Sequence, residues 1–318
     1  MDSLLASRLL QKLSFLGLAS QDQLISYLTL LVARNYANST LHAVVGMIKR
    51  LLLHLPPERR LIVTDNLSLT TSSDIDCFVN SASAEGLSPS TINTSLSALK
   101  AFFDFLLEDG RMQLQPIIRR RHRLFAPATL PKPMAEQDLI SFFKVIDSLR
   151  DRLIFLLMLR CGLRVSEVCR LTWQAVDLQA ATVRVNNGKG QVDRIAYISP
   201  DLEKSLAVWQ ERSGQSQYLF PSRKVRLAPL GRGDVHWQMK KYLRLAGITK
   251  RYSAHCLRHT FAAQLLNAGV SLEVLKELMG HRSVQMTLRY THLYESTKRQ
   301  QYDQAMENIE RRQVNLGS

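Results

Sequence analysis

DRLIFLLMLRCGLRVSEVCRLTW, Asp151 to Trp173, decides the architecture of the second half of the chain. From Leu153 to Leu159 it is apolar on every side of a helix, so it reads as a helix enclosed in a core. Gly162 ends that helix, and another begins near Val165. Downstream the period changes. ATVRVNNGKGQVDRIAYIS, Ala181 to Ser199, alternates as two short strands around a glycine-rich turn from Asn186 to Gln191, which is a hairpin signal. Helices return in SAHCLRHTFAAQLLNAGV from Ser253 and in SLEVLKELMG, where Gly280 is the stop. Upstream, a helix is predicted over Ala135 to Leu149. The second half is therefore mainly helical with a small antiparallel sheet.

Residues 20–110 also read as helices. Leu41, Val44, Val45, Ile48, Leu51 and Leu52 recur at helical spacing after Ser39. Ile92, Leu96, Leu99, Phe102, Phe103, Leu106 and Leu107 do so after the start signal Ser88-Pro89. Both segments open on Ser-Thr, at Thr40 and Thr91, and carry a lysine at the eleventh place, Lys100 in the second; coincidence between two amphipathic helices accounts for this more safely than duplication. Between them the chain reads as loop at Pro56-Pro57, with Ser73 or Asp74 capping a short helix. Residues 119–133, RRRHRLFAPATLPKP, carry Arg119, Arg120, Arg121 and Arg123 together with three prolines. Such a segment should be extended, exposed and unable to continue a helix, and it divides a domain over 1–118 from one over 134–318. An arginine strap of this kind is suited to a phosphate backbone.

The 318 residues favour two domains, and lysine plus arginine total 42 against 27 acidic residues, a formal charge of +15. An excess of that size points to nucleic acid, because each neutralised phosphate releases counterions. Cys77, Cys161, Cys169 and Cys256 have neither C-x-x-C nor zinc-like spacing, which suits free thiols in a reducing compartment. No apolar run approaches the roughly 18 residues of a membrane span, so no membrane role and a cytoplasmic, nucleoid-associated location are expected.

Four islands carry candidate chemistry. In GLRVSE, Glu167 follows Arg164 by three residues and can orient its guanidinium. Lys189 stands between Gly188 and Gly190, whose lack of side chains lets an ammonium approach a ligand. In HCLRH, His255 and Arg258 share a helix face. His281 follows Gly280, and Ser283 can cap a helix carrying Met286, Thr287 and Tyr290. Taken singly, each is better explained by a solvated or structurally satisfied pair, a turn lysine or a core or interface tyrosine.

In this order they resemble the tyrosine recombinases, or phage integrase family, whose catalytic set runs Arg, Lys, His-x-x-Arg, Gly-His, Tyr. Every member has a counterpart here: Arg164 with Glu167, Lys189, His255 with Arg258, His281 and Tyr290. The family spacing, nine residues from the Gly-His histidine and then a residue and another His, selects Tyr290 over Tyr294. Met279 stands where a leucine is common.

The resemblance implies a helical core-binding domain over 1–118, a linker over 119–133 and a catalytic domain over 134–318. It further implies a site-specific recombinase in which Tyr290 attacks a phosphodiester to give a 3′-phosphotyrosine and a free 5′-hydroxyl. Arg164 and Arg258 would clamp the non-bridging oxygens, with His281 and His255 completing the shell. His255 would take the phenol proton and Lys189 would protonate the leaving 5′ oxygen. Bond energy stays in the covalent intermediate, so neither metal nor nucleotide cofactor is expected. The implied partners are double-stranded DNA with inverted-repeat core sites, a homo-tetramer on synapsed DNA that passes through a Holliday junction, and an accessory DNA-bending or directionality protein. Residues 298–312 are suited to a helix that packs on a neighbour. The DNA contacts expected outside the catalytic set are Arg119, Arg120, Arg121, Arg123, Thr40, Thr91 and Lys100. Two rivals share the motifs: a type IB topoisomerase-like relaxing enzyme and a non-catalytic DNA-binding relative.

Overall fold

The computed structural model describes residues 14–127, 132–185, 193–213, 216–225, 228–280, 302–303 and 306–307. The chain divides into two compact units, residues 1–128 and 129–318, each with its own core. The architecture is mainly α with one small antiparallel sheet. Among the described residues no helix is long and apolar enough to cross a membrane.

The first unit is helical: α1 (Leu18–Ala33), α2 (Asn38–Leu53), α3 (Pro57–Asp65), α4 (Ser72–Ala84), α5 (Pro89–Glu108) and the single turn α6 (Arg119–His122). The buried face of α2 is the predicted one, Leu41, Val44, Val45, Ile48, Leu51 and Leu52. On α5, Ser88 caps the first turn by accepting from the Thr91 amide, Pro89 occupies the first helical position, and Ile92, Leu96, Leu99, Phe102, Phe103 and Leu106 are buried. Fully burying each such side chain contributes about 1.5–3 kcal/mol.

Three readings of this half are corrected. Pro57 is not loop: it is the first residue of α3, where its missing N–H would have had no partner anyway. The cap of α4 is Thr71, not Ser73 or Asp74; Asp74 instead completes a capping box by accepting from the Thr71 amide at 2.8 Å. Asp74 also receives a forked pair from Arg59 at 2.8 and 2.6 Å, which ties α3 to α4. Finally, residues 119–122 are neither extended nor wholly exposed. They form α6, His122 is 1% exposed, its Nδ1 accepts from the Ile118 amide at 2.9 Å, and Arg121 pairs with Asp76 of α4. The prolines that forbid helix come only at Pro127 and beyond.

The second unit contains α7 (Glu136–Lys144), α8 (Leu149–Arg160), α9 (Val165–Arg170), strands β1 (Val176–Asp177), β2 (Thr182–Val185) and β3 (Arg194–Tyr197), then α10 (Pro200–Arg212), α11 (Arg232–Leu245), α12 (Ala254–Asn267) and α13 (Leu272–Met279). The predicted helix over 135–149 ends five residues early, at Lys144. Ser148 caps the next helix, its hydroxyl accepting from the Asp151 amide at 3.4 Å, and so starts α8 in a new direction. Every residue from Leu153 to Leu159 is buried, and α12 and α10 pack along α8. Inside this core Asp151 accepts from Tyr242 at 3.0 Å and from Gln238 at 3.0 Å, so its carboxylate is held from α11.

The sheet has the order β1-β2-β3, and the hairpin pairs Val183 with Ala196 and Val185 with Arg194. Val183, Val185, Arg194 and Ala196 face inward, whereas Ile195 and Tyr197 are exposed. A smaller apolar cluster of Phe261, Ala262, Leu266, Leu275 and Met279 joins α13 to α12.

Candidate active site

Arg164 precedes α9, and the helix start is built from its own neighbour: the Arg164 amide donates to Glu167 Oε2 at 2.7 Å while its Nη1 donates to Oε1 at 2.7 Å. Glu167 has only 7% of its side chain exposed. Burial by itself would raise its pKa. The fork of Arg194, and after it the amide and guanidinium of Arg164, outweigh burial and hold the carboxyl at about 2. It is therefore a permanent anion around which cations gather.

Arg258 comes from α12 and is 4% exposed. It donates through Nη1 to the Gly162 carbonyl and through Nη2 to the Met279 carbonyl, and Nη1 lies 3.9 Å from Glu167. Gly162 permits this because it adopts φ +62°, and a Cβ there would stand 2.5 Å from the Phe261 ring. One turn before Arg258, in the first turn of α12, His255 is exposed to solvent. Partial desolvation, then the guanidinium groups of Arg258 and Arg164, push its pKa below the ordinary imidazole value, so it is neutral at pH 7. Two arginines and a neutral imidazole thus converge on one patch, a combination suited to an anion that gains charge and to an acid that gives up a proton.

The structure brings together Arg164, Glu167, His255 and Arg258. Lys189, His281 and Tyr290, together with the alternative Tyr294, lie outside the described residues, as does nearly all of residues 298–312. Gly280, the last described residue before His281, takes the left-handed conformation (φ 60°, ψ 46°) that ends α13.

Sequence reasoning missed Arg194. Its Nη1 and Nη2 donate to both oxygens of Glu167 at 3.0 and 2.8 Å, and its Nε donates to the Leu278 carbonyl at 3.0 Å. The available signal was its phase: in the alternation of β3, Arg194 shares its face with the buried Ala196, an inward position that a charge occupies only when paired.

Among the other expected DNA contacts, Arg119, Arg120 and Arg123 are exposed and line a cleft of about 620 Å³ with Asn93 and Phe125. Arg121 is tied to Asp76, Lys100 to Asp104 at 2.7 Å, and the Thr91 hydroxyl lies 2.8 Å from that of Ser88. Thr40 is half-buried in the first turn of α2.

Comparison with known proteins assigns the class. Residues 133–297 match the phage integrase family, and residues 24–110 match the phage integrase N-terminal SAM-like domain. Tyrosine recombinase XerA of Pyrococcus furiosus is 36% identical over 240 residues, 72% of this chain and 80% of that protein. Tyrosine recombinase XerC of Xanthomonas campestris pv. campestris is 30% identical over 257 residues, 79% of each chain. In fold, lambda integrase (75–356), solved as a dimer bound to a COC′ core site, superposes with a TM-score of 0.69 at 19% identity, covering 85% of this chain and 94% of that one. The Tn1549 transposon integrase, solved with a circular intermediate DNA, gives 0.66 at 19% identity over 84% and 94%. This chain belongs to the phage integrase family, the tyrosine recombinases.

Proposed function

We propose that the protein is a site-specific recombinase that cuts and rejoins duplex DNA through a 3′-phosphotyrosine at Tyr290 and exchanges strands through a Holliday junction. The observation that carries this reading is the convergence of Arg164 and Arg258 on one buried carboxylate, with His255 near enough to both guanidinium groups to feel their charge. A phosphodiester under attack by a hydroxyl accumulates charge on its non-bridging oxygens. Guanidinium planes fixed in advance by Glu167 and by backbone carbonyls meet that charge without reorganising, and a single donor of this kind contributes on the order of 100-fold or more in rate. His255, neutral at pH 7, accepts the phenol proton; Lys189 supplies a proton to the departing 5′ oxygen, which as an alkoxide would leave poorly. His281 joins the shell around the phosphate.

The region over 134–318 is the catalytic domain, 1–118 the core-binding domain and 119–133 the link between them. The partner is double-stranded DNA with inverted-repeat core sites, on which four copies synapse two duplexes. Nicked suicide substrates drawn from the DNA flanking the gene test the proposal. Wild-type protein should give a covalent protein–DNA band, and Tyr290→Phe should bind the same DNA without giving one, while Tyr294→Phe keeps it. A band that survives Tyr290→Phe removes the assigned nucleophile. Relaxation of plasmids that carry no core site would replace the recombinase reading with a topoisomerase-like one.

A further inference from the structure

We propose that Arg194 is a positioning residue for strand cleavage, a three-way tie that fixes the hairpin, the Arg164 turn and the end of α13 as one body. The inference rests on the cleavage chemistry proposed above and concerns what holds its parts in register. Arg194 acts through its partners and not on the substrate, because all three of its guanidinium nitrogens donate within the protein, Nη1 and Nη2 to Glu167 and Nε to the Leu278 carbonyl.

The geometry is specific to a guanidinium. The Nη1 and Nη2 edge forks onto Glu167 while Nε, on the adjacent edge of the same plane, donates to the Leu278 carbonyl. A lysine ammonium is a point donor on a flexible stem and would satisfy the carboxylate or the carbonyl, not both. Glu167 in turn holds Arg164 through two bonds. Arg194 opens β3, so the strand that follows Lys189 in the sequence is fastened to the arginine that precedes α9.

The α13 end of the tie is equally ordered. Three successive carbonyls there accept from three different arginines: Leu278 from Arg194 at 3.0 Å, Met279 from Arg258, and Gly280 from Arg164 at 3.4 Å. These carbonyls carry the partial negative charge of the helix C-terminus, which cations stabilise. α13 is only eight residues long, and its own buried contribution to the small apolar cluster is Leu275 and Met279, so the arginines supply much of what fixes its end. Gly280 lets Arg194 lie flat against this turn, since a Cβ there would stand 2.9 Å from Arg194 Cδ. The chain leads directly from Gly280 to His281 and on to Tyr290. Loosening this turn would displace the nucleophile relative to the phosphate clamp, and a misplacement of about 1 Å costs on the order of 100-fold in rate.

The test uses the full chain with Arg194→Lys and Arg194→Met, and Arg184→Lys as a control on the exposed face of the same hairpin. Three quantities are measured: the single-turnover rate of covalent adduct formation, the affinity for the same DNA, and hydrogen exchange of peptides covering the end of α13 in the absence of DNA. Both Arg194 variants should lose on the order of 100-fold in adduct rate while affinity stays within about threefold. The α13 end should exchange about tenfold faster or more, with the buried α8 unchanged. Arg184→Lys should move none of these. Unchanged exchange at α13 in Arg194→Lys, or an adduct rate within about threefold of wild type, overturns the inference. So does a rate loss matched by an equal loss of affinity or by opening of α8, which would mark a general structural role. Failure of the wild type to form any adduct would sink the cleavage reading instead, and the exchange measurement would still decide whether Arg194 fixes the helix end.

Discussion

Glu167 shows how one buried carboxylate can organise a site of opposite charge. Desolvation alone would make it a weak acid, yet the fork from Arg194 and the two bonds from Arg164 bring it to about 2, below its ordinary value of 4.5. A depressed folded-state pKa contributes stability that is present above the unfolded value and is lost as pH falls through the folded one. Each tenfold change in proton affinity on folding corresponds to about 1.4 kcal/mol, so the second unit should lose roughly 3 kcal/mol between about pH 5 and pH 2. Urea unfolding at a series of pH values measures this, and Glu167→Gln should be less stable at pH 7 with a flatter acid limb. An acid limb as steep in Glu167→Gln as in wild type would assign the loss to other carboxylates. The pairing of Glu167 with Arg164 was legible because three residues separate them, so local geometry alone brings them together. Arg194 was not legible by the same route, since 27 residues and a strand reversal intervene and only the tertiary fold sets that distance.

Elements with a sustained period were readable and their junctions were not. The inward faces of α2 and α5 follow from spacing alone, as does the enclosed α8, because burial of an apolar stripe dominates their energetics. β1 has two residues, too few for any alternation, and the Thr71 cap and the break before α8 depend on which of several adjacent hydroxyls and carboxylates wins a local competition. Gly162, the stop of α8, was visible, but its second task was not: its carbonyl anchors Arg258. Gly162→Ala would impose a left-handed alanine and drive its Cβ into the Phe261 ring at 2.5 Å, whereas Gly110→Ala, at φ +70° with open space around it, meets only the backbone penalty. The left-handed alanine should cost about 1–2 kcal/mol at either position, and Gly162→Ala should add a steric cost that Gly110→Ala lacks. Thermal unfolding ranks the two, and only Gly162→Ala should slow adduct formation in the fraction that remains folded. Equal cleavage by both variants would mean that the Gly162 carbonyl does not set the Arg258 plane.

At the scale of the molecule, the charge of +15 is plain from composition, whereas its distribution needs the fold. Four arginines in five residues read as a uniform strap, yet the structure separates them. The turn of α6 carries Arg121 onto Asp76 and buries His122, while Arg119, Arg120 and Arg123 remain exposed around one cleft. Neutralising a phosphate steepens the dependence of log affinity on log salt by about 0.9, so the slope counts the cations that reach DNA. If the cleft receives the backbone, Arg120→Gln or Arg123→Gln should flatten the slope by up to about 0.9 each and weaken binding similarly on specific and unrelated duplexes. Arg121→Gln should leave the slope nearly unchanged, because its guanidinium is already committed to Asp76. Titrations of the full chain at several salt concentrations measure all three. A larger slope change for Arg121→Gln than for its neighbours would show that DNA draws that arginine away from Asp76, and α6 would then be a turn held only until the duplex arrives.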